Sequence, residues 1–184
     1  IDQSGSISDV ENRLARQFIN AVADKFDVGS GTSQTRVALV PFNSKVAMSS
    51  SFADARASNL VDFKAYVNSF TFKRTFCATC TNTAEAIATA TDMIQTAPVV
   101  LDRSSTAAVV FITDGQPNSK QNCGKMNPLQ CTRSRFSALE IVAPQSTIYI
   151  QIGSATLANL FNGQEKARFE ASFETLQSLA SDVL

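Results

Sequence analysis

The sequence predicts an α/β fold: a doubly wound, mostly parallel sheet with one short antiparallel edge strand and helices on both faces. Three observations lead there. Val37-Ala38-Leu39-Val40 and Ala107-Ala108-Val109-Val110-Phe111-Ile112 are apolar runs without alternation, as strands covered on both faces require. Stretches with apolar residues every three or four positions separate such runs, so strands and helices alternate along the chain. The third is size: 184 residues are enough for one domain, 1–184, around a single large core.

Each element has its own signal. Ile1 reads as the last residue of a first strand whose body is expected upstream of it. Ser8-Asp9-Val10-Glu11 is a capping box, and Val10, Leu14, Phe18, Val22 and Phe26 then give one apolar stripe of a helix ending near Phe26. Gly29 to Ser33 is a turn. The strand Val37 to Val40 follows, with Pro41 at its frayed end because proline cannot donate to a ladder. Asn43-Ser44 turns the chain into a short hairpin partner, Lys45 to Met48. Leu60, Phe63, Val67 and Phe70 mark a second helix. After a polar loop, Lys73 to Cys80, the pattern Asn82-x-x-Glu85 caps a third helix from Thr83 to about Gln95. The strand ending at Ile112 stops on Thr113-Asp114-Gly115. A long irregular loop, Gln116 to Thr132, leads to a helix near Ser134 to Val142. Strands at Thr147 to Ile152 and around Phe169 follow. Phe173, Leu176, Leu179 and Val183 mark a C-terminal amphipathic helix.

Composition excludes several functions. With 16 basic and 16 acidic residues, no field of one sign invites nucleic acid or an anionic membrane. No apolar run reaches the roughly eighteen residues of a spanning helix. Histidine is absent, which removes Ser-His-Asp and Cys-His catalysis and the commonest zinc ligand.

Candidate chemistry begins at Ile1-Asp2-Gln3-Ser4-Gly5-Ser6. One carboxyl and two hydroxyls at alternate positions on a tight turn make an oxygen-only cage suited to a hard cation such as Mg²⁺. Alone, the string is better explained as a capping loop. In parallel sheets, however, ligands bind outside the carboxyl ends of the strands, where strand order reverses. Asp2 and Asp114 fall at such ends and Thr81 sits in the loop that opens a helix, so a parallel sheet puts all three on one rim. Glu11 and Glu85 are assigned to capping.

In order and context, Asp2-x-Ser4-x-Ser6, then Thr81, then Asp114-Gly115 resembles the metal-ion-dependent adhesion site of the von Willebrand factor A domain, shared with integrin I domains. The likeness covers nearly the whole chain: Arg36 to Phe42 looks like the family's second strand, Cys80 to Ile87 its threonine loop, Phe111 to Gly115 its aspartate loop. Where many relatives have a glycine before the threonine, this chain has Cys80. The resemblance implies a metal set of Asp2, Ser4, Ser6, Thr81 and Asp114. Ser4 and Ser6 bind through their hydroxyls, Thr81 joins them in a high-affinity state, and Asp2 and Asp114 act through water or hydrogen bonds. It further implies Mg²⁺, with Ca²⁺ or Mn²⁺ as substitutes, and a protein ligand presenting Glu or Asp. Three neutral hydroxyls leave the cation under-neutralised, so a position stays open for that carboxylate. The function expected is a non-enzymatic adhesion or extracellular-matrix module, secreted or on the outer face of the cell. The alternative is an intracellular A domain that docks subunits of an ATP-driven complex.

Cys77, Cys80, Cys123 and Cys131 form an even set, favouring disulfides and an oxidising compartment. Three pairings are open, local or between loops. Cys77-x-x-Cys80 lacks the strand-to-helix context of a redox pair, and the spacing of Cys123 and Cys131 does not match a zinc knuckle. Lys73, Arg74, Lys120 and Lys125, with Arg133 and Arg135, lie in or beside the rim loops. They read either as solvated charge or as a basic collar steering an acidic partner.

Overall fold

The computed structural model describes residues 1–3, 7–46, 49–69, 80–97, 107–119, 122–144, 147–152, 167–172 and 174–181. Its elements are α1 (Asp9–Ala23), α2 (Leu60–Ser69), α3 (Thr83–Gln95), β1 (Val109–Thr113), α4 (Pro128–Val142), β2 (Thr147–Ile152) and β3 (Ala167–Ala171). Among the described residues, Ala55–Ser58 and Leu176–Ser181 form 3₁₀ helices.

β1, β2 and β3 pair in that order, all parallel, with Phe111 opposite Tyr149 and Ile150 opposite Phe169. The pattern continues beyond β1. Asp2 N donates to Ile112 O at 3.0 Å, while Phe42 N donates to Ile1 O at 3.0 Å and Gln3 N to Phe42 O at 2.7 Å. Residues 1–3 therefore lie between β1 and the segment reaching Phe42, with Asp2 and Phe42 forming a parallel bridge. Phe42 in turn meets Val46 in an antiparallel bridge, the edge expected of the hairpin. Starting from residues 1–3, the chain lays its next extended segment on one side and β1 on the other. Strand order reverses at Asp2, and that reversal makes the sheet doubly wound.

Alternation along β1 divides the core into two layers. Val110 and Ile112 join Ile148, Ile150 and Ile152 against Ala15 and Phe18 of α1 and against Leu176 and Ala180. Val109 and Phe111 turn the other way, toward Ala86 and Ile87 of α3 and Phe136 and Leu139 of α4. There Phe42 stacks on Phe111, ring centroids 5.5 Å apart, across the strand position that Asp2 occupies.

Four expectations need correction. Residues 37–40 are extended but form no regular strand. Leu39 pairs with Ser50, partly through the Ser50 hydroxyl, and Val37 N reaches Ala57 O, so the partners are irregular. Pairing also continues past Pro41 to Phe42, because the missing N–H falls on the side turned away from residues 1–3. In α1, Phe18 is buried but Val10 is 55% exposed. A strict four-residue row drifts about 40° per step around a 3.6-residue helix, so its first member has swung off the core. Finally, α4 begins at Pro128, six positions before Ser134. Asn127 caps it in a box with Gln130, and Pro128 sits in the first turn, where its lack of an N–H costs nothing. Cys131 and Thr132 thereby move from the loop onto a helix, and Arg133 joins them there. At the C-terminal end the described residues form 3₁₀ helix over Leu176–Ser181; Phe173 and Val183 lie outside them, as does Phe70.

Candidate metal centre

Asp2 is 2% exposed, deep for a carboxyl, and burial on this scale demands partners. One is Thr113, the last residue of β1, whose Oγ1 donates to Asp2 Oδ2 at 2.5 Å. The same Thr113 oxygen accepts from Gly115 N at 3.1 Å, so it links the end of residues 1–3 to the turn that carries Asp114. In that turn Asp114 Oδ1 is buried with no hydrogen-bond partner among the described residues. Gly115 faces inward: a Cβ there would lie 3.3 Å from Thr81 Oγ1 and 3.8 Å from Asp2 Oδ2. Three strings widely separated in sequence thus meet around Gly115.

Thr81 is 3% exposed, and its backbone is tied on both sides. Its N–H donates to Asn118 Oδ1 at 2.7 Å, and its carbonyl accepts from Asn118 N at 3.2 Å and Ser119 N at 3.4 Å. Next to it, Asn82 N donates to Asn43 O at 2.6 Å and Asn82 Nδ2 to Ser44 O at 3.3 Å. Asn82 also caps α3, accepting from Glu85 N while donating to Glu85 Oε2 at 2.6 Å. Glu85 is consumed by the cap, as its spacing implied, and Glu11 likewise caps α1.

Of the expected metal residues, Asp2 and Thr81 meet beside Gly115, the chain neighbour of Asp114; Ser4 and Ser6 lie outside the described residues. So do Lys73, Arg74, Lys120 and Cys77. Lys125 is exposed in the turn before α4, and Arg133 and Arg135 belong to α4 itself. Cys123 bonds Cys131, Cα atoms 5.5 Å apart, and this disulfide packs on Ala84 in the first turn of α3. Cys80 is disulfide-bonded as well, and no free thiol occurs among the described residues. Those sulfurs are therefore not available to zinc. Spacing missed Thr113, whose only sign was a polar β-branched residue closing an apolar strand, and Asn118, which carried no local sign.

Chemically the cleft is lined by oxygen, the Asp2 carboxyl and the Thr81 hydroxyl, around a cradle that a single Cβ would crowd. Among the described residues no three of His, Cys, Asp and Glu gather in a metal-binding group. A buried Asp114 oxygen without a hydrogen-bond partner, one residue from a cleft lined by the Asp2 carboxyl and the Thr81 hydroxyl, fits a hard divalent cation and no soft one.

Fold and site together define a class: a doubly wound α/β domain with an oxygen-lined cleft where its strand order reverses. The chain belongs to the von Willebrand factor type A domain family, whose model matches residues 1–180. Among solved structures it is similar to proximal thread matrix protein 1 from the mussel byssus, with zinc occupying its MIDAS motif. That match has a TM-score of 0.76 at 16% identity and covers 100% of this chain and 45% of that one. A second crystal form of the same mussel protein gives 0.75 and 17%, with the same coverage. The manganese-loaded TRAP protein of Plasmodium vivax gives 0.69 at 14%, covering 100% of this chain and 70% of that one. The chain thus spans under half the length of the mussel protein, and at these identities the likeness is one of fold. No curated protein matches the sequence.

Proposed function

We propose that this domain is a non-enzymatic adhesion or extracellular-matrix module that grips an acidic side chain of a protein partner through a Mg²⁺-type divalent ion. Asp2, Ser4, Ser6, Thr81 and Asp114 hold that ion, with Ca²⁺ or Mn²⁺ as substitutes. The observation that carries the reading is the meeting of Asp2, Thr81 and Asp114-Gly115 at the strand-order reversal, with one Asp114 oxygen buried and unpartnered. When bound, the ion supplies the positive charge that a partner's Glu or Asp replaces water to reach. The chain's own residues do the rest. Thr113 orients the Asp2 carboxyl, the Asn118 and Asn82 bonds fix the Thr81 backbone, and Gly115 keeps the cleft open.

The Cys123–Cys131 disulfide and the bonded Cys80 favour a secreted or outer-surface location over the intracellular docking role. Lys125, with Lys73, Arg74 and Lys120, forms the basic collar that steers the acidic partner in. The test is retention of the protein on extracellular matrix, with Mg²⁺ and with EDTA. Retention that EDTA and Asp114→Ala both abolish supports the reading; retention that survives both places the partner on another face.

A further inference from the structure

Thr81 carries its hydroxyl into the cleft from a loop that is otherwise remote from Asp2 and Asp114. Something must set its position, because a hydroxyl helps hold a cation only within a few tenths of an ångström of the right distance. Asn118 brackets it. The Asn118 side-chain oxygen accepts from Thr81 N at 2.7 Å, and Asn118 N donates back to Thr81 O at 3.2 Å. One residue thus satisfies both peptide groups of another, 37 positions away, as a neighbouring strand would. Asn118 belongs to the loop that leaves Asp114, so the segment carrying one site residue also places a second. On the far side of Thr81, the Asn82 bonds to Asn43 and Ser44 close the remaining slack.

We propose that Asn118 is a positioning residue for the divalent-ion site, acting through the Thr81 backbone; this rests on the ion-dependent reading above. The side chain must offer an acceptor at the length of Asn to meet the Thr81 N–H. Asp has the same reach and the same acceptor. Leu has the volume and no acceptor, so it leaves a buried N–H unpaired and Thr81 free to shift.

The probe is Mn²⁺, followed by titration calorimetry and by its electron paramagnetic resonance spectrum, with melting in EDTA as the control for folding. Asn118→Leu is expected to weaken Mn²⁺ binding by about 10- to 100-fold, the usual effect of losing a residue that orients a ligand. Its spectrum should differ from that of the unaltered protein. Asn118→Asp should bind Mn²⁺ at least as tightly as the unaltered protein. Equal affinity in Asn118→Leu, or equal losses in the Leu and Asp variants, overturns the positioning role. If Asn118→Leu does not fold, Asn118→Ala takes its place under the same criteria. Failure of the unaltered protein to bind Mn²⁺ overturns the ion-dependent reading itself, and the positioning role with it.

Discussion

Thr113 and Asp2 are 111 positions apart, yet the Thr113 hydroxyl sits 2.5 Å from Asp2 Oδ2 and both residues are buried, 1% and 2% exposed. This one bond couples the end of β1 to the end of the adjacent strand position, at the point where the sheet changes direction. Replacing Thr113 with Val keeps shape and strand preference but removes the donor. Stability in EDTA should fall by about 1–3 kcal/mol, the range for losing a buried hydrogen bond to a carboxylate. Divalent-ion affinity should fall with it, by about 10-fold or more. Denaturant melts and calorimetric titration read the two effects separately.

Gly115→Ala separates space from stability. The added Cβ would approach Thr81 Oγ1 to 3.3 Å, and the Gly115 backbone is not one that excludes alanine. Melting in EDTA should change little, while ion affinity drops because the methyl group occupies the cradle. Unchanged affinity would mean that the ion lies elsewhere.

The Cys123–Cys131 disulfide closes a short loop and packs on Ala84 in the first turn of α3. Chain entropy for a loop of this length predicts a loss of about 2–3 kcal/mol in the Cys123→Ser/Cys131→Ser variant. Urea unfolding measures it directly. A loss well under 1 kcal/mol would show that the rim is held without this cross-link.

Away from the site, Asp54 caps the Ala55–Ser58 turn and Arg56 lies over the Tyr66 ring at 4.1 Å, joining that turn to α2. Hydrogen bonds from the Arg56 guanidinium, and then from its backbone N–H, hold the Asp54 carboxyl at about 2 against an ordinary 3.8. A carboxyl whose folded value is depressed contributes stability above its unfolded value and loses it as pH falls toward its folded one. The melting temperature should therefore decline between pH 3.8 and about 2. Asp54→Asn keeps the cap oxygen, so a shallower decline in that variant isolates the charge.

Elements whose signals are local were readable from the sequence. Asn82 and Glu85 delimit α3 because a cap involves residues three apart, and Ile148, Ile150 and Ile152 mark β2 by alternation. α4 shows how such a signal can be masked. Asn127-Pro128-x-Gln130 is itself a capping box, but Pro, Gly and Cys nearby read as loop, and the first turn exposes Leu129. The Val37 to Val40 run read as a strand by its apolar character, which reports burial on both faces and not the regularity of the hydrogen bonds. At the site, Asp2 and Asp114 were legible as acids at the ends of strands, and Thr81 as a hydroxyl in the loop that opens α3. Thr113 and Asn118 were not, since each acts through a contact with a distant residue and nothing beside them in sequence records it.

The central claim is that Asp2, Ser4, Ser6, Thr81 and Asp114 share one divalent ion. Titrating Mn²⁺ into the protein and into Asp114→Ala, both verified as folded by melting in EDTA, tests it most directly. One ion per chain in the first and none in the second is the predicted result. No binding by the unaltered protein, or equal binding by the variant, would contradict it.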